Sequence, residues 1–136
     1  MIATTIACLA MTIYFEARSE PIAGQLAVAQ VVLNRSASDR FPDDPCDVVK
    51  QGMVNSKGQP IRNKCQFSFW CDGKKETVRN HLAWQTAEEV ARAALAAPID
   101  ITEGATFYHT PDVSPAWRHT KIKTVQLGHH VFYREK

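Results

Sequence analysis

The chain has 136 residues, 45% of them hydrophobic and 22% charged, with a formal net charge of +2. That describes one domain of ordinary size, with enough apolar residues for a packed core and too few charges for a disordered chain. A balance so close to neutral singles out no nucleic acid and suits weak attraction to an anionic polymer.

Residues 2–15 form an apolar run that is shorter than the roughly 20 residues a membrane-spanning helix needs. No Lys or Arg precedes Arg18, so the run lacks the basic start of a secretory signal. It reads as a core helix over residues 4–18, capped by Thr4 or Thr5, with Ile6, Leu9, Ala10, Ile13 and Ala17 at helical spacing. Glu16 and Glu20 follow, four residues apart, and Pro21 disfavours a helical conformation at Glu20. Glu16 therefore ends a helix and Glu20 falls in the turn beyond it. A second helix spans residues 23–38, with Leu26, Ala29, Val32 and Leu33 on its buried side. The corner between the two helices is rigid behind and open in front, a suitable place for a general acid. A solvated helix end with an Arg18–Glu20 pair explains the same spacing.

The prolines and aspartates of residues 41–45 mark a loop, and residues 47–51 a short helix entered through Cys46. Residues 55–60 are a turn cluster between two weak strands. The stretch CQFSFWCDG, residues 65–73, mixes aromatic rings with Gln66 and Ser68. It suits either a sugar-binding cleft or a packed aromatic corner. A third helix covers residues 80–97, with Leu82, Ala83, Val90, Ala94 and Leu95 inward, and Pro98 stops it. Glu88 and Glu89 belong to its solvated face. Residues 105–109 read as a strand and residues 114–117 as a loop carrying Trp117. Residues 124–127 and 130–133 read as a terminal β-hairpin around Gly128. The order of elements gives a single α+β domain over residues 1–136, helices dominant.

Cys8 lies in the apolar helix and reads as a core residue; a disulfide among Cys46, Cys65 and Cys71 is open. No C-x-x-C and no H-E-x-x-H occurs, so neither zinc nor any other metal or cofactor is expected. A Ser hydrolase lacks its G-x-S-x-G. A Cys–His pairing of Cys65 or Cys71 with His109 or His129 has only residue type behind it. Carboxylate chemistry by Glu16 or Glu20 remains, with aromatic and amide groups to line a polysaccharide groove.

Five blocks in order, YFEARSEPIAGQLAVAQVVLNR, RFPDDPCDVV, CQFSFWCDG, ATFYHTPDVSPAW and LGHHVFYR, resemble the SleB/CwlJ-type cell-wall hydrolase family over residues 6–134. The resemblance implies a lysozyme-like catalytic domain, helix-dominated with a small C-terminal sheet. It implies cleavage of the β-1,4 bond between N-acetylmuramic acid and N-acetylglucosamine in peptidoglycan, by a lytic transglycosylase or a muramidase. The first Glu of the family's E-x-R-x-E block is catalytic, and here that is Glu16. Glu20 is the alternative acid, or a turn organiser with Arg18. Many members have Gly where this chain has Ser19, and many carry a separate wall-binding domain, which this chain is expected to lack.

The substrate-binding candidates are Gln66, Phe67, Ser68, Tyr108, His109 and Trp117. Asp72 and Asp112 are the loop acids open to a hydrolytic second role, although both sit in turn dipeptides. A catalytically silent peptidoglycan-binding module is the alternative from another class. The partner implied is the peptidoglycan glycan strand, with no nucleic acid and no membrane span, and the chain is read as a monomer. With no export signal visible, it is expected to stay cytoplasmic until it is released as a phage lysin or exported by another route.

Overall fold

The computed structural model describes residues 4–136; Ile2 and Ala3, where the apolar run begins, lie outside them. Helix α1 (Thr5–Ala17) starts where Thr4 Oγ1 accepts a hydrogen bond from the Ala7 amide at 3.1 Å. It ends before Pro21, and α2 (Ile22–Ser36) begins directly after that proline. The short α3 (Pro45–Val49) is capped by Asp44, and α4 (His81–Ala96) by Asn80. A two-stranded arm, β1 (Gly52–Val54) against β2 (Pro60–Cys65), projects between α3 and α4 in sequence. The C-terminal sheet holds β3 (Phe107–His109), β4 (Ile122–Leu127) and β5 (His130–Arg134), antiparallel in the order β3-β5-β4. This is the α+β architecture expected, helices dominant.

The main core joins Leu9, Ala10, Ile13 and Tyr14 of α1 to Ala29 and Val32 of α2 and to Ala87, Val90, Ala91 and Ala94 of α4. A smaller cluster of Ala27, Val31, Ala105 and Phe132 fastens the other side of α2 to the sheet. Helix α2 is therefore covered on both sides, which is why Ala27, Val28, Ala29, Val31 and Val32 are all fully buried. Full burial of a Val side chain is worth about 1.5–3 kcal/mol, so this short run anchors the domain.

Two expectations are corrected. Leu82 and Leu95 do not point inward: they are 77% and 47% exposed. The buried stripe of α4 is Ala87, Val90, Ala91 and Ala94; both leucines share its spacing but stand in the first and last turns of the helix, where nothing covers them. Cys8 is a core residue, 2% exposed, but it is also bridged to Cys46 across 38 residues. The buried face of α1 meets α3 there, with the two Cα atoms 5.3 Å apart. The second bridge, Cys65–Cys71, closes the aromatic stretch at the foot of the arm.

The connection from α4 to β3 is tied along α2. Gln30 bonds the carbonyl of Ile99 and the amide of Ile101, each at 3.0 Å. Asn34 Nδ2 donates to Asp100 Oδ2 at 2.8 Å and to the Ala105 carbonyl at 2.9 Å. Asp100 in turn accepts from the amides of Thr102 and Gly104. These bonds fix where β3 enters the sheet relative to α2.

Candidate functional site

Glu16 is the penultimate residue of α1, and its side chain meets the middle of β3, where the Tyr108 hydroxyl donates to Oε1 at 2.8 Å. Arg35 reaches the same place from the last turn of α2. Its Nε donates to the Thr106 carbonyl at 2.7 Å, and its guanidinium lies 5.0–5.4 Å from the ring centres of Phe41, Phe67 and Phe107. Arg35 is 5% exposed, and its buried Nη1 has no hydrogen-bond partner in the protein. A buried cationic donor left unpaired is costly, and here the three surrounding rings supply compensating attraction.

These groups line a cleft of about 410 Å³ together with Gln66, Phe67, Phe107 and Trp117. That volume is in the range of ligand sites, roughly 300–1,000 Å³. Gln66 and Phe67 come from the exit of β2, held by the Gln66 amide on the Gln51 carbonyl at 3.0 Å. Trp117 stands in a short 3₁₀ turn (Ala116–His119) and packs against Phe107 and Tyr133, with ring centres 5.2 Å apart in each case.

The electrostatics differ between the two glutamates. Burial pushes the Glu16 carboxyl above its ordinary value, against the Tyr108 hydrogen bond and the Arg35 charge, which both pull it down. Burial also raises the Tyr108 hydroxyl, as does the adjacent Glu16. Burial lowers Arg35, opposed by Tyr108 and Glu16. Glu20 faces away from this cleft, with its side chain only 5% exposed. It accepts from the His129 amide at 2.5 Å and lies 2.8 Å from His129 Nδ1, with His130 Nδ1 at 3.7 Å. Burial pulls the Glu20 carboxyl upward, but the His129 hydrogen bonds and the nearby histidine charges hold it below the ordinary value.

The expected Arg18–Glu20 pair does not form. Arg18 Nη1 donates to the Tyr14 hydroxyl at 2.6 Å instead, and Glu20 ties the α1–α2 corner to the β4–β5 turn. Of the other candidates, Gln66, Phe67, Tyr108 and Trp117 meet Glu16 in the cleft, whereas Ser68 and His109 are not among its lining residues. Ser68 is exposed at the start of the 3₁₀ turn Ser68–Cys71. His109 Nε2 bonds the Tyr133 hydroxyl at 3.0 Å, and its Nδ1 lies 2.7 Å from the Thr110 carbonyl. Asp72 binds the Lys74 amide within its turn, and the carboxyl of Asp112 is held down by its bond to Thr110. Neither lines the cleft, so among the described residues Glu16 is its only carboxylate.

Arg35 and Phe107 were not picked out from the sequence. A signal existed for Arg35: it continues the buried stripe Val28, Val31, Val32 at helical spacing, and an arginine in such a stripe needs a reason to be there.

The helical core, the small antiparallel sheet and the cleft between them define a lysozyme-like α+β domain. The chain belongs to the cell wall hydrolase family, whose model matches residues 19–133. The match begins after Glu16. The spore cortex-lytic enzyme of Halalkalibacterium halodurans is 32% identical over 133 residues, which cover 93% of this chain and 34% of that protein. The spore cortex-lytic enzyme of Bacillus subtilis is 31% identical over 133 residues, covering 93% of this chain and 36% of its own length. The chain thus spans about a third of the length of these curated relatives. Among solved structures, the catalytic domain of the Bacillus cereus SleB protein superposes with a TM-score of 0.72 at 29% identity, over 96% of this chain and 89% of that one. The catalytic domain of the germination-specific lytic transglycosylase SleB from Bacillus anthracis gives 0.74 at 28% identity, over 98% and 97%.

Proposed function

We propose that the chain cleaves the β-1,4 bond between N-acetylmuramic acid and N-acetylglucosamine in peptidoglycan, as a lytic transglycosylase with Glu16 as acid and then base. The observation that carries this reading is the single carboxylate among the described residues lining the cleft. Glu16 has its acid form favoured by burial, as a general acid requires. It gives its proton to the glycosidic oxygen as the bond from C1 to that oxygen breaks. The carboxylate left behind takes the proton of the muramic acid C6 hydroxyl, and O6 closes on C1. A 1,6-anhydro ring forms and no water is consumed. Hydrolysis by two carboxylates would need a second one roughly 5–9.5 Å across the cleft.

Arg35 steadies the ionised Glu16 between the two steps, because it is the buried cation of the same cleft. Gln66, Phe67, Tyr108 and Trp117 hold the sugar by stacking and hydrogen bonding. The Bacillus anthracis neighbour is a lytic transglycosylase, which supports this class of reaction. The two disulfides suit work at the wall, outside a reducing compartment.

Digestion of peptidoglycan in heavy-oxygen water tests the assignment. Anhydro products without label are expected by mass spectrometry. Label at the muramic acid C1 would mean hydrolysis and reject the transglycosylase assignment.

A further inference from the structure

The charge of this chain is unevenly spread. Between Lys50 and Arg79 there are seven Lys or Arg against two acids, Asp72 and Glu76, a net +5 where the whole chain carries +2. The rest of the chain is therefore net −3. All seven basic side chains are exposed. Ion pairs among the described residues join Arg40 and Lys121 to Glu135, and His129 and His130 to Glu20; none involves this region. The cations are thus free to face an external anion.

They also surround a built feature. A groove of about 350 Å³ beside β2 is lined by Pro60, Arg62, Trp70 and Lys74, with Glu76 as its one carboxylate. Lys50 Nζ lies 5.4 Å from the Trp70 ring centre. Arg62 lies across the backbone of Gly73, where an added Cβ would come 2.5 Å from its Nε. Gly73 adopts φ +82, which also favours glycine. The Cys65–Cys71 bridge pins the groove beside Gln66 and Phe67, which line the catalytic cleft.

We propose that this face of the arm is a second binding surface for the same polymer, taking the free carboxylates of the peptide stems while the glycan enters the cleft. The proposal rests on the reading of peptidoglycan as substrate. An indole ring flanked by exposed cations fits a carboxylate-bearing glycopeptide, because the ring covers apolar and sugar faces while Arg62 and Lys74 pair the anions. On a peptide-free strand the only carboxylates are the lactyl groups fixed on the sugars, whereas a stem carries its carboxylates on a flexible peptide that reaches away from the glycan, so the surface favours peptide-bearing strands. The attraction is long-range and screened by salt.

The test combines Arg62→Gln, Lys64→Gln and Lys74→Gln in one variant, with Trp70→Ala as a second. Sedimentation with purified peptidoglycan, stripped of phosphate polymers, measures binding. Turnover of short soluble glycans without peptides measures catalysis. Binding to walls is expected to weaken about tenfold in the triple variant and in wild type at high salt. Capping the wall carboxylates as neutral amides is expected to weaken wild-type binding equally. Turnover of the soluble glycans is expected to stay within about twofold of wild type. Undiminished binding by the triple variant, or to the amidated wall, overturns the proposal, as does a wild type that cuts soluble glycans without binding walls. A wild type that binds walls through the arm and their carboxylates, yet cuts nothing, supports the surface and rejects the catalytic reading instead.

Discussion

The Tyr108 hydroxyl donates to Glu16 Oε1 at 2.8 Å, joining the end of α1 to the middle of β3 across 92 residues of sequence. The bond holds one carboxylate oxygen and leaves the other for the cleft. Glu16→Gln keeps the size of the group and removes its proton. The fold should survive, since Tyr108 can still donate to the amide oxygen. Lytic activity is expected to fall on the order of a hundredfold to ten-thousandfold. Retention of more than about a tenth of wild-type turnover would remove Glu16 from the role of acid. Glu20→Gln, assayed alongside at a temperature where both are folded, should leave turnover close to wild type.

Tyr108→Phe tests the electrostatics of the same bond. The hydrogen bond and the Arg35 charge both lower the Glu16 carboxyl, which burial has raised. Removing the hydroxyl therefore raises it further. A general acid works in its protonated form, so the alkaline limb of the pH–rate profile should move to higher pH in the variant. Turnover at low pH should fall less than turnover lost through Glu16→Gln. An unmoved or downward-shifted limb contradicts the assignment of that limb to Glu16.

Helical periodicity and the prolines at 21 and 98 sufficed to place α1, α2, α4 and the corner with Glu16. They work because the competing conformations are sterically excluded locally. The site needed more. Arg35 lies 19 positions beyond Glu16 in the chain and meets it only because α2 folds back on α1. Phe107 and Trp117 meet across the sheet edge, a contact that no local pattern encodes. Leu82 and Leu95 misled because an apolar residue on a helix is not thereby a buried one. The Cys8–Cys46 pairing was hidden for a related reason: a cysteine at core spacing looks the same bridged or free.

The two bridges should contribute unequally. In the chain-entropy account, a loop of 38 residues is worth about 4 kcal/mol and one of 6 about 2 kcal/mol. Replacing Cys8 and Cys46 together by Ala should lower the melting temperature clearly more than replacing Cys65 and Cys71. The second change should instead loosen the arm, read as faster hydrogen exchange in β2 and the Ser68–Cys71 turn with α1 and α2 still protected. Equal losses of melting temperature from the two pairs would contradict the loop-length argument.

The last prediction concerns the corner that Glu20 holds. His129 stands in the two-residue turn between β4 and β5, and its amide and ring both bond Glu20. Gly128 before it has φ +59, and a Cβ there would come 2.6 Å from Glu20 Oε1 and 3.1 Å from Pro21 Cδ. Glycine is therefore required twice, once by its backbone and once by the approach of α1–α2. The ionised Glu20 sits below its ordinary value of 4.5, so its contribution is present above that pH and lost as pH falls through the folded value. His130 is lowered from 6.5, first by burial, against the pull of Glu20. Its stabilisation is likewise present above about 6.5 and lost on acidification, because the folded state prefers the neutral ring. Both groups act in the same direction, whereas the raised Glu16 carboxyl acts in the opposite one, so in a Glu16→Gln background urea unfolding should show stability declining from pH 7 to pH 4. Glu20→Gln should cost about 1–2 kcal/mol at pH 7, where the charged hydrogen bonds are lost, and should flatten the part of the decline below pH 4.5, where Glu20 itself titrates. Parallel pH curves for the two proteins would mean that Glu20 does not hold the corner by its charge.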